Sequence, residues 1–232
     1  SISSDGAKVV FSSPGDSLPG SNSDGGLEVY LYSVDTTQYV QLTEADAGDS
    51  SQPVISGDGQ WVAFASTADL TGNNSDGNRE IFRIHTDTLV VEQITDSPNG
   101  ASQLPAIDAD GSRIAFESTA DLTGDNADGS TEMFFYDADT QDVVQITSST
   151  IGTSNFPSLD DGGVWIAFTS NAALVTGSTA TEVLLYEVES GALEQISLGV
   201  AATRMAPSVS ANGERVSYIG FTDSLALTLT VH

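Results

Sequence analysis

The sequence predicts an all-β fold made of one four-stranded antiparallel unit repeated along the chain, and three observations carry that prediction. The first is a shared period. Pro53, Pro105, Pro157 and Pro207 are spaced by 52, 52 and 50 residues, and Phe11, Phe64, Phe116, Phe168 and Tyr218 keep step at 53, 52, 52 and 50. Glu28, Glu80, Glu132 and Glu182 follow the same period, as do Thr43, Thr95, Thr147 and Ser197. The second is that each period contains four short runs of alternating apolar and polar residues, the signature of half-buried strands. The third is that no stretch sustains a helical spacing. Stacked units of this size and strand count are the blades of a β-propeller, in which each blade buries its two apolar faces against its neighbours.

Each strand has its own local reason. The first is short and is expected to start at the proline, as in Pro53–Ser56, Pro105–Asp108, Pro157–Asp160 and Pro207–Ser210, because proline is tolerated where a strand begins. A turn follows at Asp5-Gly6, Asp58-Gly59, Asp110-Gly111, Asp161-Gly162 and Asn212-Gly213, pairs suited to tight reversal. The second strand alternates strictly, as in Trp61-Val-Ala-Phe64 and Trp165-Ile-Ala-Phe168. Third strands read Val29–Tyr32, Ile81–Ile84, Met133–Tyr136 and Val183–Tyr186, and fourth strands Val40–Thr43, Val91–Thr95, Val144–Thr147 and Leu193–Ser197. The register of Trp61, Trp165, Phe82 and Phe134 fits core between blades.

One domain over residues 1–232 therefore divides into blades at about 1–52, 53–104, 105–156, 157–206 and 207–232. The last is incomplete: it offers Pro207–Ser210, Arg215–Phe221 and Leu225–Val231. Five blades is the leading count. The alternative is a piece of a larger propeller, its missing strand upstream of Ser1 or beyond His232.

Within the second unit the strings PVISGDGQWVAFAS, EIF and EQIT, echoed in the others, resemble the PD40 or WD40-like repeat of TolB-type propellers. The resemblance extends over essentially the whole chain. It implies a family that includes periplasmic scaffold proteins, propeller domains of peptidases and lyases, and cell-surface proteins. The long link between second and third strands departs from the minimal repeat.

Composition narrows the partners. Six Lys and Arg stand against 33 Asp and Glu, a formal net charge of −27. Such a chain repels nucleic acid and anionic lipid and attracts divalent cations and basic proteins. No run of about 18 apolar residues exists to insert in a membrane as a helix. With no cysteine there is no disulfide, thiolate metal site or cysteine nucleophile. A GDSL string at 15–18 lacks the setting of a serine hydrolase, since it falls in a loop and only His85 and His232 could serve as a base. His85 is expected on a surface turn.

The remaining polar signal is the link itself: LPGSNSDGGLE at 18–28, LTGNNSDGNRE at 70–80 and LTGDNADGSTE at 122–132. Asn22, Asp24 and Glu28 recur as Asn74, Asp76 and Glu80, and as Asn126, Asp128 and Glu132. Calcium takes six to eight hard oxygens, and such a loop supplies side-chain and carbonyl oxygens. The same residues also suit a plain turn, with Asp-Gly reversing the chain and Asn tying it. The fourth unit, LVTGSTATE at 174–182, lacks the Asn-Asp-Gly set. These features predict an extracytoplasmic binding or scaffold module for a protein or glycan, with calcium as its candidate cofactor. A propeller domain of an enzyme, such as a glycan lyase or hydrolase or a gating domain beside a peptidase, is the alternative.

Overall fold

A computed structural model describes residues 1–15, 18–22, 24–175, 180–197 and 203–221, with backbone alone at 203–205 and 221. The strands group by repeat. Blade one holds β1 (Lys8–Ser13), β2 (Glu28–Ser33) and β3 (Gln38–Gln41), with an Ile2–Val9 bridge where an inner strand would lie. Blade two is β4 (Ser50–Ile55), β5 (Trp61–Ser66), β6 (Glu80–His85) and β7 (Val91–Gln93). Blade three is β8 (Ser102–Ile107), β9 (Arg113–Ser118), β10 (Glu132–Asp137) and β11 (Asp142–Gln145), and blade four β12 (Ser154–Leu159), β13 (Trp165–Ser170), β14 (Glu182–Glu187) and β15 (Ala192–Gln195). Blade five pairs β16 (Thr203–Val209) with β17 (Val216–Phe221). Every pairing is antiparallel between sequence neighbours. The expected strand at Leu225–Val231, the Asp16 and Ser17 of the GDSL string, and His232 lie outside the described residues.

The inner strands correct one expectation. They begin at Ser50, Ser102, Ser154 and Thr203, ahead of the proline, which sits inside the strand. Register slips across it, between Ser51 and Val54, Gln103 and Ala106, Asn155 and Ser158, and Met205 and Ser208. Proline lacks an amide hydrogen and breaks the ladder, so the strand bulges where it lies. The residue before it takes a left-handed conformation: φ is 57° at Gln52, 52° at Leu104, 58° at Phe156 and 51° at Ala206. Non-glycine residues rarely adopt that conformation, so the same local strain recurs in blades two to five.

Packing between blades is equally periodic. Val62, Phe64, Phe82 and Ile84 of blade two lie against Val10, Val29 and Leu31 of blade one. Ile114, Phe116 and Phe134 of blade three lie against Ala63, Ala65 and Ile81, and Ile166, Phe168 and Leu184 of blade four against Ala115, Met133 and Phe135. One face of blades two to four thus carries a buried Phe, and the face it meets has a smaller residue, Val10, Ala63 or Ala115, at its centre, which lets neighbours interdigitate. Phe82 and Phe134 are fully buried there, as the sequence predicts.

At one end of the ring the Asp-Gly turns join by backbone hydrogen bonds. Ser4 N donates to Gly57 O (2.9 Å), Asp58 N to Ala109 O (2.8 Å), Ala109 N to Asp161 O (3.1 Å) and Asp161 N to Ala211 O (3.1 Å). The first residue of each second strand covers the next turn. A Cβ on Gly111 would fall 2.5 Å from Trp61, and one on Gly213 would fall 2.1 Å from Trp165. Both glycines are therefore required by space as well as by their φ of 77° and 71°. Trp61 and Trp165 are half-buried covers of these turns.

Scarce cations are spent at the same junctions. Lys8 Nζ donates to Gly59 O (2.9 Å), Arg83 Nη1 to Gly111 O (3.0 Å) and Arg113 Nη1 to Gly163 O (3.0 Å). Arg83 also pairs with Glu92 (2.6 Å) and lies over the Trp61 ring at 4.2 Å. Extensive packing runs from each blade to the next, and none of comparable extent joins the fifth to the first among the described residues.

Candidate functional site

The inner strands of blades two to five converge on a cavity of about 430 Å3 lined by Gln52, Pro53, Val54, Leu104, Pro105 and Phe156, with Pro157, Ala206 and Pro207 completing the lining. Blades two to five each contribute the proline and the residue before it, so the bulges build the site. An unbulged strand would alternate through this point without presenting two consecutive side chains. Among the described residues no charged side chain lines the cavity. Phe156 stands 48% exposed in it, a large apolar group that the fold leaves in water.

Two links between blades hold the rim. Leu104 N donates to Gln52 Oε1 of the preceding blade (2.9 Å). Phe156 N donates to Glu117 Oε2 (3.2 Å), and Glu117 Oε1 accepts from Gln103 Nε2 (2.8 Å). Glu117 is buried, which pushes its carboxyl above the usual glutamate range, while those two bonds pull it down. Its counterparts are Ala65 and Thr169. Sequence reasoning missed Glu117 and the residues before the prolines. The signal was present: at 52, 104, 156 and 206 the residue changes beside an unchanging proline.

The loop residues have other employment. Asn74 Nδ2 donates to Ala68 O (3.2 Å) and Asn78 O (3.0 Å), and Asn126 Nδ2 to Ala120 O (3.2 Å) and Ser130 O (3.0 Å). Asn22 Nδ2 does the same toward Pro14 O and Gly26 O. Asp24, Asp76 and Asp128 each accept from the backbone N–H two residues on. The glutamates turn inward. Glu28, Glu80 and Glu132 each accept a short hydrogen bond from Thr43, Thr95 or Thr147 and a second from the N–H of Ala45, Ser97 or Ser149. Each threonine Oγ1 in turn accepts from Val29 N, Ile81 N or Met133 N. Burial raises the Glu28 and Glu80 carboxyls against the pull of these bonds.

Among the described residues the predicted ones meet only in the third loop. Ser130 Oγ lies 3.2 Å from Asn126 Oδ1, 2.9 Å from Asp128 Oδ1 and 3.1 Å from Glu132 Oε1. Among the described residues no group of three or more His, Cys, Asp or Glu is arranged to hold a metal ion. His85 is the half-buried last residue of β6, opposite Trp61, rather than a residue of the following surface turn; its Nδ1 accepts from Asp87 N at 3.3 Å and its ring is edge-on to Trp61.

Known structures share this architecture. The chain is similar to TolB from Acinetobacter baumannii (TM-score 0.61, 15% identity, 98% of this chain and 50% of that one). It is also similar to a putative TolB from Agrobacterium tumefaciens (TM-score 0.62, 16% identity, 99% and 73%). A third likeness is to the β-propeller domain of the Trilobed protease from Pyrococcus furiosus (TM-score 0.58, 14% identity, 97% and 64%). At these identities the likeness establishes the β-propeller fold, shared with TolB and with the protease domain, and nothing of activity. The chain spans half the length of the Acinetobacter protein. No family model matches it, and no curated protein is similar to it at a significant level.

Proposed function

We propose that this propeller is a non-catalytic binding module of an extracytoplasmic compartment, which takes an apolar segment of a partner protein into its channel mouth. The observation that carries this reading is the cavity of proline, Val54, Leu104 and Phe156 on a chain of net charge −27. Concave apolar sites with few polar groups are the usual form of binding pockets. An anionic surround adds a preference for basic residues flanking the apolar segment and speeds encounter at low salt. The test is selection of displayed random peptides on the immobilised protein, then titration of the winners against Phe156→Ala and Leu104→Ala. Apolar peptides with basic flanks, weakened about tenfold by Phe156→Ala, are the expected outcome. Winners indifferent to both substitutions would sink the channel reading.

Calcium has an accessory place in the proposal, at the third loop, where the oxygens of Asn126, Asp128 and Glu132 converge on Ser130. A weak site there raises the thermal midpoint in millimolar calcium, and Asp128→Asn removes the rise. A midpoint unmoved by calcium or chelator eliminates it.

A further inference from the structure

Gln52 stands apart from the rest of the channel lining. Among the described residues it is the one lining side chain able to hydrogen-bond, the others being proline, valine, leucine, phenylalanine and alanine. Its Oε1 accepts from Leu104 N at 2.9 Å, so the amide oxygen is fixed toward blade three and Nε2 is the group left over. Gln52 is half-buried, and its Nε2 donates to nothing among the described residues. Glutamines elsewhere on the strands differ: Gln41, Gln93 and Gln145 each donate from Nε2 to the backbone carbonyl two residues on. The tie to Leu104 does not itself call for an amide. In the next blade the N–H of Phe156, the counterpart of Leu104, is met by the carboxylate of Glu117 at 3.2 Å. What glutamine adds over glutamate at such a place is a hydrogen-bond donor without a charge.

Building on the channel reading above, we propose that Gln52 is the specificity-determining residue of the mouth, donating from Nε2 to a backbone carbonyl of the bound peptide segment. A segment whose apolar side chains lie against Leu104 and Phe156 is desolvated there, and its backbone carbonyls need donors. Gln52 is the side-chain donor that the described lining offers. A hydrocarbon chain in the same place would cover Nε2 and leave it unpaired, a loss that a peptide carbonyl avoids. A ligand carboxylate would accept equally well but is repelled by a chain of net charge −27. The donor sits beside Pro53 and Val54 of blade two, while the apolar anchors Leu104 and Phe156 come from blades three and four. The recognised carbonyl therefore belongs to one position of the segment relative to its apolar side chains, and the bond sets the register of the segment in the mouth.

Peptides selected on the wild-type protein are the probes, resynthesised with each backbone amide replaced in turn by an E-alkene, which removes its carbonyl. Gln52→Glu keeps an acceptor for Leu104 N and removes the donor, whereas Gln52→Leu removes both. Affinities are read by fluorescence anisotropy at about 1 M NaCl, where the charge added by Gln52→Glu is screened. Both variants are expected to bind about three- to tenfold more weakly. One alkene replacement should cost the wild-type protein the same factor and cost neither variant anything further, the mark of a direct pair. Hydrogen exchange at the Leu104 N–H should be as slow in Gln52→Glu as in the wild type. Weakening by Gln52→Leu alone overturns the proposal, as does faster exchange at Leu104 in both variants, because loss of the tie then explains the effect. An alkene series with no position coupled to Gln52 overturns it too. Peptides weakened by Phe156→Ala but bound equally by both Gln52 variants overturn it and leave the channel reading standing. Peptides indifferent to Phe156→Ala, Leu104→Ala and both Gln52 variants remove the channel reading and the role of Gln52 together.

Discussion

Blades one and two present the same aromatic pair at the same register and put it to different ends. Phe64 and Phe82 are at 0% exposure beneath blade one, and Phe11 is partly exposed with no blade above it among the described residues. The chemistry of the face is common to both, so its energetic role is set by the neighbour. In a repeat architecture stability is carried by the interfaces as much as by the units.

The largest expected effect tests this directly. Phe64→Ala should cost about 3–5 kcal/mol, the range for emptying a buried phenylalanine site, while Phe11→Ala costs about 1 kcal/mol in dilute solution. Urea denaturation of both variants measures the gap, and equal losses would break the comparison. Next in size is Thr95→Val, which leaves the Glu80 carboxylate without its hydroxyl donor and the Ile81 N–H without its acceptor. About 2–3 kcal/mol should be lost. Thr43→Val should cost the same, because that buried linkage is identical in blade one. A cheaper Thr43→Val would mean that blade one is loose throughout, rather than only partly exposed on one face.

A third comparison sets Asp108 against Ser56. Ser56 Oγ donates to Asp58 (2.6 Å), as Ser3 does to Asp5, but blade three has a carboxyl at that position beside Asp110. Burial pushes Asp108 up to about 6, and its Oδ1 is buried without a partner. A folded-state pKa above the unfolded value of 3.8 means that the protonated form is the one the fold favours. That contribution is complete below about pH 4 and is lost as pH rises through about 6. Asp108→Ser should therefore gain about 2–3 kcal/mol at pH 7.5, and the gain should shrink toward zero near pH 4. Thermal midpoints across that range check it. The smallest effect concerns the outer hairpins. Leu89 holds φ 56° where blade four has Gly191 at 69°. Leu89→Gly should be neutral to stabilising by about 0.5 kcal/mol, against the loss of up to 1 kcal/mol that glycine usually brings to a strand.

Much of the architecture was legible because it repeats. The prolines, the Phe series and the Asp-Gly turns each mark a site with one geometric demand, and four recurrences separate demand from accident. The candidate site was harder to read. Asn74 and Glu80 have the residue types of calcium ligands, but hydrogen bonds to Ala68 O, Asn78 O and Thr95 show them working as ties, and a loop's ligand chemistry and its turn chemistry use the same atoms. The proline marked each inner strand but not its start, and it marked its function incompletely. Only the bulge, which depends on the partner strand's register, shows that Gln52, Leu104 and Phe156 face one cavity.

By itself the sequence determined the period, the strands, the turns and the anionic surface, because each depends on residues close along the chain or on summed charge. Tertiary structure decided which faces are covered, which buried carboxyls are tied, and that four residues about 50 positions apart line one channel. Those outcomes depend on distances between blades, and a strand's pattern of alternation is the same whether or not another sheet lies above it.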